Sequence, residues 1–278
     1  MTNYDVHKPL EEEEWGMLAE ALKAGEYAFF VASGLSKEAG LPTGSELAER
    51  MIGKLYPNVS DPVEKFRLNF NHSGSLELSV VTQLIEERYG RDKLMRFLSN
   101  CVNWSVQPAR VHKFITLLAL EITSRERGLR IITPNYDSLI EYSLPQDSDV
   151  IVLPEQYTQV HEPRPWVVKI HGCIRLRPMQ TIRITKADLS LRLEPWKRRA
   201  MRDCLARRGL VVIGYGATDI HVKRIINESI RQAEKESYWV SMGKPPLQII
   251  NSLAYKRGRY IQMDATSFFK NTGILREY

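Results

Sequence analysis

Apolar positions along this chain fall into helical stripes and short unbroken runs, and the two alternate over most of its length. Trp15, Leu18, Ala19 and Leu22 form one stripe, behind four glutamates at 11–14 that complement the positive end of a helix dipole; Gly25 ends that helix. Residues 27–32 read as the first strand. Leu47, Met51 and Leu55 recur every four residues and predict a helix over 45–55. From about 56 to 109 no strand pattern appears. Leu76, Val80, Val81, Leu84 and Ile85 give helical spacing from a Ser75 cap to Gly90, and a second helix follows from 92 to about 98. A helix from 111 to about 124 leads into a strand at 129–133, and further strands are expected at 150–153, 166–170, 210–213, 247–250 and 260–263.

Unbroken apolar runs of this length suit strands covered on both faces. The expected architecture is therefore α/β, a Rossmann-like doubly wound parallel sheet in a single domain spanning 1–278. Its Rossmann-like part covers about 26–55 and 110–278, and a small all-helical insertion covers about 56–109.

Composition changes this picture little: at 278 residues, 43% hydrophobic and 26% charged, the chain has the make-up of an ordinary soluble globule. There is no apolar run long enough to span a membrane, and residues 1–14 lack the basic-then-apolar order of a secretory signal, so a cytoplasmic protein with no membrane contact is expected. Cys101, Cys173 and Cys204 form no CxxC pair, which excludes a zinc ribbon and a disulfide framework and leaves no metal site to expect. The net charge of +6 comes with basic clusters at 196–208 and 256–259. Such clusters suit nucleic acid or an acidic partner; with no aromatic interleaving, a helix with one solvated basic face is the simpler reading.

The chemistry concentrates where four strands run into small polar clusters, at 29–42 (FFVASGLSKEAGLP), 131–141 (IITPNYDSLIE), 167–172 (VVKIHG) and 211–219 (VVIGYGATD). In an open α/β sheet, residues at the carboxyl ends of several strands converge on one crevice, and these four segments would meet around a nucleotide. Ser33, Gly34 and Ser36 are small enough for backbone N–H groups to approach a pyrophosphate, although tight packing alone also favours such residues. Asn135 offers an amide that accepts and donates at once, suited to holding a nucleophile beside an anomeric carbon. Asn135 and Asp137 are equally suited to capping the next helix, a role assigned here to Asp137. His171 has the chemistry of a general base near neutral pH. The other histidines, His7, His72, His112, His161 and His221, stand in no such context. Gly214 and Gly216 would let the backbone pass close to a ribose, and Thr218 or Asp219 would cap the helix that follows.

These clusters resemble those of the sirtuins, which show GAGISxxSGIP, TQNID and HG after successive strands. The chain has Ala32-Ser33-Gly34-Leu35-Ser36 with Ala39-Gly40-Leu41-Pro42, then Thr133-Pro134-Asn135-Tyr136-Asp137, then His171-Gly172, in the same order. Where a sirtuin reads GTS, this chain has Gly214-Tyr215-Gly216, and its NYDxLIE, KxHG and GYxxxD segments look like the divergent sirtuin-like domains of bacterial antiphage systems. The resemblance implies NAD+ as substrate, with Asn135 and His171 catalytic. It implies NAD+ contacts from Ala32, Ser33, Gly34, Ser36, Pro42, Thr133, Asp137, Gly214, Tyr215 and Gly216. Asn251, after LQII, is similar to a sirtuin residue on the adenine-side ribose, and Asp264 stands in a like place one strand later; both also read as loop-turn formers. Thr185 and Asp188, in ITKAD, match a segment of the same branch without a mechanism. Departures exist: Ala32 replaces a glycine, Pro134 a glutamine, and Thr43-Gly44-Ser45 stands in place of DFR, which removes an arginine from the nicotinamide end.

Three functions are compatible with that resemblance. The first is an NAD+ hydrolase giving nicotinamide and ADP-ribose, a toxic antiphage effector that depletes NAD+ and is gated by homo-oligomerisation or by a partner such as a HerA-type ATPase or an Argonaute-type protein. The second is an NAD-dependent protein deacylase, disfavoured by the missing zinc ligands and by Cys173-Ile174-Arg175 where sirtuins carry an FGE-type segment. The third is a silent NAD-binding subunit, against which the presence of both Asn135 and His171 weighs.

Overall fold

The computed structural model describes residues 4–123, 127–158, 164–216 and 219–275. Thr218 and His161 lie outside the described residues. Seven strands form one sheet: β1 (Tyr27–Val31), β2 (Arg130–Thr133), β3 (Asp149–Ile151), β4 (Trp166–Lys169), β5 (Gly209–Ile213), β6 (Tyr238–Val240) and β7 (Arg259–Ile261). Their order is β3-β4-β2-β1-β5-β6-β7, and these strands pair in parallel throughout. The chain builds outward from β1 to one side and then crosses to the other through β5. The carboxyl ends of β1 and β5 therefore flank the point where the winding reverses, the place where a crevice opens in such sheets.

Alternation along the strands sets two cores. Phe29 and Val31 point to one face with Ile131, Val167 and Val211, where they meet Leu18 and Leu22 of the helix Glu12–Lys23, Phe114 and Leu118 of Lys113–Thr123, and Phe268 of Ala265–Asn271. Ala28 and Phe30 point the other way with Ile132, Val168 and Val212, onto Met201 of Pro195–Leu205, Ile226 of Ile220–Gln232 and Leu253 of Leu247–Tyr255. Both faces are thus covered by helices, as continuous apolar strands require.

A third core lies beside the sheet. Leu47 and Met51 of the helix Gly44–Leu55, Phe66 of Pro62–Phe70, Val81 and Ile85 of Leu78–Tyr89, and Leu94 and Leu98 of Arg91–Cys101 pack together. Leu139, Ile174, Ile182 and Ile184 complete it from segments that follow β2 and β4. Arg91 fastens the two parts, donating from Nη1 to Asp188 Oδ2 at 2.8 Å and from Nη2 to the Ile182 carbonyl. Thr185 caps the helix Lys186–Ser190, and Asp188 Oδ2 also accepts from the Ile184 and Thr185 amides. The ITKAD segment is therefore an anchor between the helical module and the sheet.

The structure corrects one of the expected strands. The expected strand at 247–250 is the helix Leu247–Tyr255, which starts after Pro246 and buries Ile249 and Leu253 at helical spacing. The strand on that side of the sheet is instead β6, three residues long and wholly buried. The basic stretch at 196–208 falls largely on the helix Pro195–Leu205, which buries Ala200, Met201 and Cys204 and exposes Arg199 and Arg202. Among the described residues, no helix is long and apolar enough to cross a membrane.

Candidate active-site cleft

A cleft of about 550 Å³ opens over the carboxyl ends of β1, β2, β4 and β5. Its volume lies within the usual range for small-molecule sites. Ala32, Ser33, Gly34, Ser36, Pro42, Asn135, Asp137, His171, Gly214, Tyr215 and Gly216 all line it. The floor depends on two glycines. Gly34 N donates to the Gly214 carbonyl at 3.3 Å, and a Cβ on Gly34 would lie 2.8 Å from Gly214 Cα. Gly214 also has φ +65°, so the loops after β1 and β5 meet backbone to backbone only because both residues lack side chains.

A hydrogen-bond chain fixes the amide of Asn135. Ser36 Oγ donates to Asp137 Oδ2 at 2.9 Å, so its lone pairs accept from Asn135 Nδ2 at 3.0 Å. With Nδ2 committed to Ser36, Oδ1 is the carboxamide atom left to accept from a ligand. Asp137 Oδ1 accepts from the Leu139 amide at 3.1 Å, so this carboxylate, one residue before the N-cap Ser138, both satisfies the first N–H of the helix Leu139–Tyr142 and orients the chain to Asn135. Tyr136 braces the same loop from the other side, its carbonyl accepting from Ile174 N at 2.9 Å and its hydroxyl donating to the Arg183 carbonyl at 2.9 Å.

His171 sits one residue beyond the Ile170 that follows β4 and is 6% exposed. Its Nε2 lies 3.0 Å from Asp219 Oδ2, while Asp219 Oδ1 accepts from the His221 and Val222 amides at 2.8 and 3.0 Å. Burial raises the pKa of Asp219, but the hydrogen bond and charge of His171 and the two amides outweigh it and hold the carboxyl below its usual range. An ionised Asp219 accepts the proton on Nε2, which leaves the lone pair on Nδ1. The pairing of His171 with Asp219 has no trace in sequence spacing. Asp219 was legible only as a helix cap, which it also is.

An Asp219→Asn substitution should separate those two roles. The cap needs an acceptor at the Oδ1 position, so the new NH₂ group must face Nε2 and drive the imidazole proton onto Nδ1. The ¹⁵N chemical shifts of the His171 ring should report this change of tautomer in a folded protein. The sign of the linkage is also fixed. A carboxyl whose folded pKa lies below its unfolded value stabilises the fold above that unfolded value, about 3.9, and the contribution is lost as pH falls through the folded pKa. Asp219→Asn should therefore lose that part of the acid-unfolding profile.

Three sequence-predicted residues do not reach the cleft. Thr133, at the end of β2, is fully buried and accepts from the Asn135 amide at 3.0 Å, so it supports the loop from below. Asn251 lies within the helix Leu247–Tyr255 and faces a separate groove with Asn227 and Arg231. Its expected place rested on a strand that is a helix. Asp264 accepts from Ser267 N at 2.8 Å and caps the helix Ala265–Asn271. Asp264→Ala should cost about 1 kcal/mol of stability through the lost cap, read by chemical denaturation, with ligand affinity unchanged. Conversely, the motifs gave no notice of the walls supplied by Glu77, Leu78, Trp104, Ile184 and Leu189. These come from the helical module and from the ITKAD segment with the leucine that follows it, whose approach to the sheet is set by tertiary packing.

Residues 129–262 match the family described as SIR2-like domain. This stretch of the chain is a SIR2-like domain. Asn135, Asp137, His171 and Asp219 fall inside the matched part of the SIR2-like domain, and the glycine turn after β1 precedes it. No curated protein matches the chain in sequence. Among solved structures, a Sir2 homolog in complex with NAD is 15% identical, with a TM-score of 0.59 over 99% of this chain and 97% of that one. A Sir2 homologue mutant in complex with ADP-ribose is 14% identical, with a TM-score of 0.55 over 94% and 96%. A structure concerned with the mechanism and regulation of Sir2 enzymes is 15% identical, with a TM-score of 0.56 over 96% and 98%. At such identities the likeness is one of fold. Among the described residues there is no cluster of His, Cys, Asp and Glu placed to hold a metal ion.

Proposed function

We propose that this chain is an NAD+ glycohydrolase that cleaves the bond between nicotinamide and ribose and releases ADP-ribose. The observation that carries the reading is that Asn135 and His171, from the loops after β2 and β4, line one cleft together with the Gly34–Gly214 floor. Related folds have been captured with NAD and with ADP-ribose. On this reading the pyrophosphate lies along the small residues after β1 and β5, where backbone N–H groups and the start of the helix Gly44–Leu55 face it.

The chemistry asks little of the protein beyond position and charge. Nicotinamide leaves as a neutral molecule, so the bond needs no acid to break, and the developing positive charge on the sugar needs a nearby polar environment. Asn135 Oδ1 orients the attacking water, and His171 Nδ1 takes its proton as the new C–O bond forms. Ionised Asp219 steadies the imidazolium that results. Water, sugar and leaving group thus account for every atom. Depletion of cellular NAD+, as in antiphage defence, is the output this activity would have.

Incubation of the purified chain with NAD+ should release nicotinamide and ADP-ribose in equal amounts, with no acyl-lysine peptide required. Asn135→Ala should reduce that release by about 100-fold or more, since it removes the group that holds the water. Release that appears only with an acylated peptide would overturn the reading in favour of a deacylase.

A further inference from the structure

Beneath the loop that carries Asn135 lies a buried cation with no part in the chemistry above. Lys169, the last residue of β4, is fully buried and is in register with Thr133 of β2. Its Nζ donates to the main-chain carbonyl of Asp137 and to Glu141 Oε1, the latter at 2.6 Å. Asn135 is therefore held from two directions, by the Thr133 hydroxyl at its own N–H and by the ammonium two residues further on. Neither Lys169 nor Glu141 lines the cleft.

A buried ion pair is a poor device for stability, because desolvation takes back much of the Coulomb gain and an apolar pair of similar volume often serves as well. What an apolar side chain lacks is a donor aimed at a carbonyl. Burial pulls the pKa of Lys169 down, but the charge of Glu141, that of Asp137 and the hydrogen bond to Glu141 reverse that and leave it raised, so the ammonium keeps its protons. Glu141 belongs to the helix Leu139–Tyr142 that the loop runs into, and its Oε2 is buried without a hydrogen-bond partner. The arrangement ties the start of that helix to the end of β4 across the loop.

We propose that Lys169 and Glu141 are a positioning pair that fixes the 134–137 loop, and through it the Asn135 carboxamide, against the cleft. The proposal rests on Asn135 acting at the reacting sugar. Lys169 itself touches nothing that reacts and acts through the Asp137 carbonyl.

The test is the double variant Lys169→Met/Glu141→Leu, which strands neither charge. It should fold with a melting temperature near that of the parent. Amide hydrogen exchange across 135–139 should quicken by about 10-fold or more while β1 and β5 stay protected, which is local opening and not global destabilisation. Turnover of NAD+ should fall by about 10- to 100-fold with KM changed less than about 2-fold, as for loss of alignment in the transition state. In the Asn135→Ala background the same two substitutions should cost no further turnover. Unchanged exchange in the loop would overturn the proposal, as would exchange raised equally across the whole sheet. If the double variant does not fold, Glu141→Gln keeps the shape and answers through the same exchange measurement. If the parent releases no nicotinamide, the glycohydrolase reading fails, and the exchange result still decides whether the pair holds the loop.

Discussion

Replacing His171 by alanine should lower nicotinamide release from NAD+ by about 10²- to 10⁴-fold, the range a positioned general base contributes. Asp219 Oδ2, 3.0 Å from Nε2, fixes both the ring orientation and the site of its proton, so the second nitrogen is basic without any rearrangement. The substitution also strands Asp219 Oδ2 in a buried place, which costs about 1–3 kcal/mol of stability. The helix cap through Oδ1 should survive, because it uses the other oxygen. Added imidazole, diffusing into the space the ring vacates, should restore part of the lost rate. Recovery of activity with imidazole separates a lost base from a damaged fold, and its absence together with an intact melting curve would count against His171 as the base.

Gly172→Ala should fail in a different way, by loss of the fold. Gly172 has φ +91°, and a Cβ there would lie 2.1 Å from the Thr181 carbonyl oxygen and 2.7 Å from the Ile182 nitrogen. Both atoms are backbone of the segment that returns under His171, where Arg183 N donates to the His171 carbonyl at 3.0 Å. No rotamer change can relieve such an overlap. The segment 181–184 must move, and it carries Ile182 and Ile184 of the third core with it. The expected loss is about 3 kcal/mol or more, combining backbone strain with disturbed packing. Gly216→Ala is the matched control. It lies in the same cleft with open space where a Cβ would go, and thermal unfolding should find it near the parent.

Much of the sheet was legible because its strands are apolar on both faces and its stripes are regular. Tyr27 to Val31 and Gly209 to Ile213 are unbroken apolar runs after a polar turn, and nothing else in the chain competes for them. The error at Leu247–Tyr255 has a physical origin. Four residues such as LQII satisfy a buried strand and a buried helix turn equally, and the pair Leu253 and Ala254 further on was the signal for helix. That misreading carried Asn251 to a place it does not occupy. β6 escaped notice because three residues are too few to show a period.

The candidate site was legible at the level of which residues reach the cleft and not of how they pair. Asn135 and His171 announce themselves at strand ends. The partners that give them direction, Ser36 for one and Asp219 for the other, stand 99 and 48 residues away. The same holds for Glu141 and Lys169, which form an ion pair across 28 residues. Such pairings depend on the strand order β4-β2-β1-β5, which no local pattern encodes.

A crystal structure of the Asn135→Ala variant soaked with NAD+ puts the whole account at risk. The expected result is an intact dinucleotide with its pyrophosphate over the Gly34–Gly214 floor and the anomeric carbon of its nicotinamide ribose between residue 135 and the His171 ring. Density for the dinucleotide in the groove beside Asn251 and Arg231, or a nicotinamide ribose out of reach of His171, would contradict it.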